Sequence, residues 1–409
     1  MGFDGGSGFV PGGNGSGPPP PANDVFVGNA LFVSTRGSAA GAYENLTNHF
    51  DNIDDAINAM VSPDNVIYLY GSDHYINVTS LPSGNDALNI VHFCNNLSEL
   101  GFKSNIAGLE KLNIRSQGKV SFDVKQTDLT ECNIVCQNLN TYEQLKTIAC
   151  KFNITVYDTL TTAFYFNGSD TEININANKI VGNVNLTNPN AGDRCNITCN
   201  TYNGIFFLNI SNNTDWKFVL NAKRIFYLDP ASASTAMFTF TANNEVSNIS
   251  KFIINCPDIY YYCLSPIIDH QGGIFGFKNC TFKQEFPVNE ESSMVSLRKL
   301  SVGGNKTVLY LKNCDFNFIG SNIINGLILL QNAAGPELLV YIENCNFYAA
   351  GGDYSSDPTY VIHSDIARDY YGISGNADRN VFDDFANPVT LTNIAGLPNV
   401  QLINFIPGL

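Results

Sequence analysis

A five-residue phrase returns along most of this chain: an apolar residue, any residue, a second apolar residue, any residue, then Ala, Cys or Asn. It reads Cys132-Asn-Ile134-Val-Cys136, Ile173-Asn-Ile175-Asn-Ala177, Cys195-Asn-Ile197-Thr-Cys199, Phe218-Val-Leu220-Asn-Ala222 and Phe252-Ile-Ile254-Asn-Cys256. Further on it becomes Phe275-Gly-Phe277-Lys-Asn279, Leu309-Tyr-Leu311-Lys-Asn313 and Val340-Tyr-Ile342-Glu-Asn344. Each time another apolar residue stands five positions after the central one: Leu139, Ile180, Tyr202, Ile225, Ile259, Phe282, Phe316 and Phe347. Looser copies start at Leu88, Leu112 and Phe152, and successive starts lie 20 to 34 residues apart. A period in this range marks a stack of supersecondary units.

Within each copy the alternation is period two, so each copy is a strand with one side turned inward. The break at the Ala/Cys/Asn position reads as a corner into a following strand. Strand-corner-strand units that stack in parallel make a β-helix, in which each rung meets only its neighbours. The expectation is an all-β, single-stranded parallel β-helix solenoid, one stack over about 60–400, with loops inserted where the interval lengthens.

Asparagine and cysteine fit that frame. The chain has 54 Asn against 22 Lys and Arg together. AT-rich codon usage would raise Asn, but it would raise Lys as well. Asn tolerates the left-handed backbone of tight corners, and amides stacked at strand spacing can bond along the stack. Asn279, Asn313 and Asn344 hold one rung position, which predicts such a ladder. Of the eleven cysteines, Cys136, Cys199 and Cys256 share one rung position, and Cys280, Cys314 and Cys345 share the next. Cys132 and Cys195 share an inward strand position. Repeat phase predicts stacked core thiols in preference to disulfides or zinc ligands. An odd count agrees with synthesis in a reducing compartment.

The phrases at 275–282, 309–316 and 340–347 resemble rungs of right-handed parallel β-helix proteins of the pectin-lyase-like superfamily. Leu31-Phe-Val-Ser-Thr-Arg-Gly37, then Phe50–Met60, then Val66-Ile-Tyr-Leu-Tyr70 is similar to the opening of phage tailspikes and other virion β-helices. The resemblance implies right-handedness and a virus-associated setting; periodicity shows neither.

Organisation is simple. Residues 1–24 hold eight Gly and five Pro and cannot build a core, so they read as an extended arm anchored by Phe3, Phe9 and Val10. Residues 25–63 supply a strand and a capping helix, with Ile53, Ala56, Ile57 and Met60 on one helical face. Residues 64–409 form the β-helix, with a polar insertion at 351–386. Net charge is −15 and the pI about 4.6, which argues against binding a phosphate backbone. No apolar run is long enough to span a bilayer, and no basic-then-apolar leader is seen.

The catalytic signatures of the β-helix enzymes are incomplete in this sequence. Ile268-Asp269-His270 faintly resembles a pectate-lyase phrase but lacks that family's Arg-x-Pro-x-x-Arg companion, and a rung corner is expected there. Asp383-Asp384 lacks the Asn-Thr-Asp and Arg-x-Lys partners of polygalacturonases. The insertion combines Tyr354, Tyr360, Tyr370 and Tyr371 with Asp365 and Asp369, a mixture suited to holding a sugar ring or to meeting a neighbouring subunit. Thirteen Asn-x-Ser/Thr sequons occur, and most read as polar rung positions.

Two functions are therefore expected to compete. One is a non-enzymatic virion structural protein, made in the host cytoplasm: a decoration, fibre or spike component fixed by its arm to other capsid subunits. The other is a tailspike-like carbohydrate-binding or polysaccharide-degrading enzyme, a glycoside hydrolase or lyase. Neither reading needs a cofactor, a metal or a nucleic-acid partner; a homo-oligomer and a host-surface glycan fit both.

Overall fold

A computed structural model of the protein describes residues 30–34, 48–71, 73–141, 151–162, 164–166, 171–187, 192–210, 216–228, 236–242, 251–262, 267–271, 273–285, 295–298, 307–319, 328–331, 338–343, 346–350, 362–364 and 381–383. The chain is all-β, a parallel β-solenoid, and every strand pair whose register is defined runs parallel. It comprises two compact units: Met1–Glu143 with Ile154–Thr159, and Gln144–Asn153 with Leu160–Leu409.

In the first unit, one ladder runs Ala30–Ser34, Val66–Tyr70, Ala87–Phe93, Lys111–Ser116 and Glu131–Cys136. A second runs His74–Ile76, Glu99–Phe102, Lys119–Phe122 and Asn138–Thr141. Inward positions alternate along every rung, as in Leu112, Ile114 and Ser116 or Cys132, Ile134 and Cys136, all buried. The helix Ile53–Asn58 packs on the first strands of this unit and buries Ile53, Ala56 and Ile57, with Met60 just beyond. Asn52 caps it by accepting the Asp55 N–H at 2.8 Å, and Asp54 and Asp55 sit at the positive end of its dipole. Covering the outermost rungs is what an exposed sheet end requires.

In the second unit the ladder begins with three long strands, Glu172–Val181, Arg194–Asn203 and Lys217–Leu228. It then divides. One branch is Lys251–Asn255, Gly273–Lys278, Thr307–Lys312 and Leu338–Glu343. The other is Ile259–Tyr262, Thr281–Glu285, Asp315–Ile319, Asn346–Ala350 and Val381–Asp383. A separate sheet stacks Phe164–Phe166, Val184–Thr187, Phe206–Ile210, Phe238–Ala242, Ile268–Gln271, Val295–Arg298, Ile328–Gln331 and Ile362–Ser364. The polar stretch 351–386 thus contributes two strands to the stack. An aromatic seam fills the interior: Tyr202 on Phe206 at 4.7 Å, Phe206 on Phe238 at 5.0 Å, Phe238 on Phe277 at 5.2 Å and Phe277 on Phe282 at 4.9 Å. Such pairs add roughly 0.5–1.5 kcal/mol each beyond the area they bury.

The thiols lie where repeat phase puts them. Cys132, Cys136, Cys195, Cys199, Cys256, Cys280 and Cys314 are buried, and none of these thiols is in a disulfide. Cys195 stacks between Ile173 and Phe218, and Cys199 between Ala177 and Ala222. The expected amide ladder is present between Asn313 and Asn279, whose side chains bond at 3.0 Å. These are the only non-glycine residues at positive φ among those described, at 52° and 56°. Asn344 and Cys345 lie outside the described residues.

Candidate functional site

Chemistry-bearing side chains sit in three places, one inside the stack and two on its surface. The interior one is a corner of the first unit, where His74 and His92 pack edge to face at 5.4 Å. His92 Nδ1 lies 3.1 Å from Ser116 Oγ and 3.5 Å from Cys94 Sγ, and His74 Nε2 lies 3.3 Å from the Tyr70 carbonyl. A Cys–His pair invites a nucleophilic reading. The electrostatics oppose it. Burial pushes the Cys94 thiol up to about 12, and burial also lowers His74, so both groups are neutral near pH 7. His92 and Ser116 are both buried, which closes the imidazole off from any substrate. Gly118 completes the corner: a Cβ there would overlap the Ser98 carbonyl oxygen and come within 2.7 Å of Cys94 Sγ. The cluster is a packed, buried polar corner.

On the outside of the same unit, three strands place their outward residues in a grid. Asp73, Tyr75 and Asn77 stand beside Glu99, Gly101 and Lys103, which stand beside Lys119, Ser121 and Asp123. Lys103 pairs with Asp123 at 2.5 Å and lies 4.7 Å from the Tyr75 ring centre. Glu99 accepts from Ser121 and pairs with Lys119 at 3.2 Å. Tyr75 is 40% exposed and its ring leans over Gly101, where a Cβ would meet Cδ1 at 2.8 Å. Burial and the nearby Asp73 and Glu99 carboxylates raise the Tyr75 phenol, so it remains a donor at neutral pH. An aromatic face ringed by carboxylates and a cation can hold a sugar ring.

In the second unit the outward residues of the long strands are, apart from Glu172 and Val219, mainly amides, hydroxyls and cations. Asn196 donates to Asn174 at 3.0 Å, Asn174 to Asn153 at 3.2 Å, and Asn200 to Asn178 at 2.8 Å. Asn255 donates to Asn221 at 2.8 Å. Exposed Lys217, Lys223 and Arg224 flank these columns, with Arg194 and Lys179 half-buried. Arg224 pairs with Asp258 at 3.1 Å and lies 5.7 Å from the Phe226 ring centre. The sequon residues Asn153, Asn196 and Asn279 take part in ladders, and Asn77 bonds to Asp54 and to the Tyr75 carbonyl.

Tyr354, Tyr360, Asp365, Asp369, Tyr370, Tyr371, Phe3, Phe9 and Val10 all lie outside the described residues, as does Asp384. Asp269 and His270 fall inside the strand Ile268–Gln271, not on a corner, because the apolar Ile268 continues the ladder from Phe238. Asp383 ends the strand Val381–Asp383. Tyr261 is buried with Tyr260 and Tyr262 half-exposed, as the alternation requires. Among the described residues no three His, Cys, Asp or Glu side chains converge as a metal site, and no helix is long and apolar enough to cross a membrane. Comparison with known protein families, curated proteins and solved structures finds no match to this chain.

The Tyr75 grid and the cationic face escape a reading along the chain. Their members are separated by whole rungs, and only the register brings them together. Outward triplets such as Glu99-x-Gly101-x-Lys103 were the available signal.

Proposed function

We propose that the chain is a non-enzymatic structural protein of a virus particle, a β-helix decoration, fibre or spike component. Its arm of residues 1–24 fixes it to other subunits and its outward faces make the contacts. The observation that carries this reading is how the chemistry-bearing groups are used. Seven of the described thiols, together with His74 and His92, are buried in the stack, and asparagines bond from rung to rung. A solenoid held this way is a stiff scaffold whose working surface is its outside. The viral setting rests on the resemblance of its opening and rungs to virion β-helices. Immunogold labelling of purified particles tests it: the protein is expected on the particle, and a chain lacking residues 1–24 is expected to fold but to incorporate poorly. Absence from particles overturns the reading, as does glycan cleavage that Asp269→Asn or Asp384→Asn abolishes.

The Tyr75 grid favours a second reading, recognition of a host-surface glycan without cleavage. Tyr75→Ala is then expected to weaken binding of host polysaccharide about tenfold, the worth of one lost stacking contact. Equal binding by the variant removes this reading.

A further inference from the structure

The chain is acidic, yet its charge is divided by region. From Gly37 to Phe102 there is no Lys or Arg, while Asp51, Asp54, Asp55, Asp64, Asp73, Asp86 and Glu99 fall in that stretch. Asp51, Asp55, Asp64 and Asp73 are exposed. The opposite holds on four successive strands of the second unit. Glu172–Val181, Arg194–Asn203, Lys217–Leu228 and Lys251–Asn255 carry Lys179, Arg194, Lys217, Lys223, Arg224 and Lys251 against Glu172 alone. Because Asp258 pairs with Arg224, six cations less two carboxylates leave a surplus of four positive charges, on a chain whose total is −15.

The register concentrates that surplus. Arg194, Lys217 and Lys251 are consecutive partners down the ladder, so their backbones are separated by about 4.8 Å per step. Beside them stand Asn196, Thr198 and Asn200 on one strand and Asn221 on the next, all exposed. A β face of this kind is flat, so it cannot reach into a nucleic-acid groove, and between its cation columns it offers amides and hydroxyls in place of stacking rings. It suits a protein surface bearing carboxylates. The acidic surface at hand belongs to the same chain, and a scaffold present in many copies meets itself most often.

We infer that the outward face of these four strands is a docking surface for a second copy of this chain, whose exposed carboxylates Asp51, Asp55, Asp64 and Asp73 supply the complementary charge. The inference rests on the scaffold reading. Such a contact is heterologous, with different patches meeting on the two copies. Opposite charges on two patches also overcome the repulsion between molecules that are both net negative, because short-range pairing outlasts screening of the long-range field.

Sedimentation velocity of the full chain tests this. Association is expected at about 0.05 M salt and loss of association at about 1 M, where the Debye length falls to about 3 Å. The triple variant Arg194→Gln, Lys217→Gln, Lys223→Gln is expected to weaken association about tenfold or more, as is Asp51→Asn, Asp55→Asn, Asp64→Asn. All six positions are outside the buried core, and unchanged thermal melts confirm that each variant folds. The deciding arm is charge exchange. Lys217→Glu with Lys223→Glu, and Asp55→Lys with Asp64→Lys, are each expected to fail to self-associate and to pair when mixed. A chain that is monomeric at every salt concentration overturns the inference while the scaffold reading still stands or falls on particle labelling. Association lost with the cation variants but untouched by the Asp variants overturns the choice of partner, and an association that neither set changes overturns the face.

Discussion

Two stretches of the second unit turn the same corner by different means. In the rungs at 172–181, 194–203 and 217–228, the buried residues run Ile175, Ala177, Ile180, then Ile197, Cys199, Tyr202, then Leu220, Ala222, Ile225. In the rung at 273–285 they run Phe277, Cys280, Phe282. Five residues separate the flanking apolar pair in both cases, from 175 to 180 and from 277 to 282. What changes is where the small inward residue falls within the five. Early rungs place it second after the first apolar residue and let two polar residues follow. Late rungs place it third, and the position before it is Asn279 or Asn313 in the left-handed region. The left-handed residue reverses the chain one step sooner. The early strand continues through its corner, whereas the late one is cut into Gly273–Lys278 and Thr281–Glu285. The rung at 254–259 lies between, with early spacing at Cys256 but a divided strand.

The sharpest way to break the early arrangement is at its second corner. Gly182 sits at φ 137°, and a Cβ there would overlap the Thr162 carbonyl oxygen; a Cβ on Gly204 would overlap the Gly182 carbonyl oxygen. That carbonyl also accepts from Tyr202 Oη at 2.9 Å, so the neighbours are held in place. Gly182→Ala is expected to cost about 3 kcal/mol or more, read from the denaturant midpoint. A loss below about 1 kcal/mol would mean that Gly182 is not held against the Thr162 carbonyl.

Burial makes the next largest effect. Cys256 is almost fully enclosed, and Cys256→Asp is expected to cost about 3–5 kcal/mol by stranding a carboxylate among apolar neighbours. Native thiols provide the matching pH test. Burial pushes Cys199 and Cys256 from 9.0 up to about 12. A group whose folded pKa is raised contributes stability below its unfolded pKa and loses it as pH rises toward the folded value. Stability should therefore be flat from about pH 7 to about pH 8.5 and fall between about 9 and about 12. The Cys199→Ala, Cys256→Ala double variant should show a shallower fall; an unchanged slope would place the alkaline transition elsewhere.

The late corner is tested at its asparagine. Asn279→Val is expected to cost about 1–2 kcal/mol, because a branched side chain resists the left-handed region, whereas Asn279→Gly should lose only the amide bond to Asn313, about 0.5–1 kcal/mol. In the early corner, Asn200 bonds to Asn178 with no such backbone demand, so Asn200→Ala should cost only the amide bond, about 0.5–1 kcal/mol. Thermal melts of the three variants rank them, and equal losses at Asn279→Val and Asn200→Ala would mean the left-handed turn carries no strain.

Repeat phase made the inward half of this fold legible. Ile173, Ile175, Ala177 and Ile180 announce themselves because burial selects apolar side chains at fixed spacing. Phase also assigned the cysteines, since a thiol at an inward position behaves as a small hydrophobe. The outward half was opaque for a physical reason. Solvent tolerates any polar residue, so Tyr75, Gly101 and Lys103 or Arg194 and Lys217 carry no pattern along the chain. Whole-chain charge also concealed the basic face, because the carboxylates of 51–99 outweigh it in the sum. Corner type was half legible: the shift from Ala or Cys to Asn-Cys is visible in the phrases, but its left-handed geometry is not.

The smallest effects separate the two corners most finely, through what each thiol does. Cys280 Sγ donates to the Lys278 carbonyl at 3.3 Å and lies 3.6 Å from the Ile254 carbonyl; Cys314 repeats this with Lys312 at 3.3 Å and Phe277 at 3.7 Å. The late thiol therefore serves as a donor to carbonyls that the corner turns inward. Cys199 instead stacks between the methyl groups of Ala177 and Ala222, where size is what matters. Serine keeps a donor and alanine keeps an apolar surface, so the two substitutions should rank oppositely at the two sites. At Cys280 the Ser variant is expected to be the more stable by about 0.5–1 kcal/mol, since Ala leaves the carbonyls without their donor. At Cys199 the Ala variant is expected to be the more stable by a similar margin, since a hydroxyl there is desolvated among methyl groups. Denaturant midpoints of the four single variants decide it, and the same ranking at both sites would mean that the two corners use cysteine for one purpose.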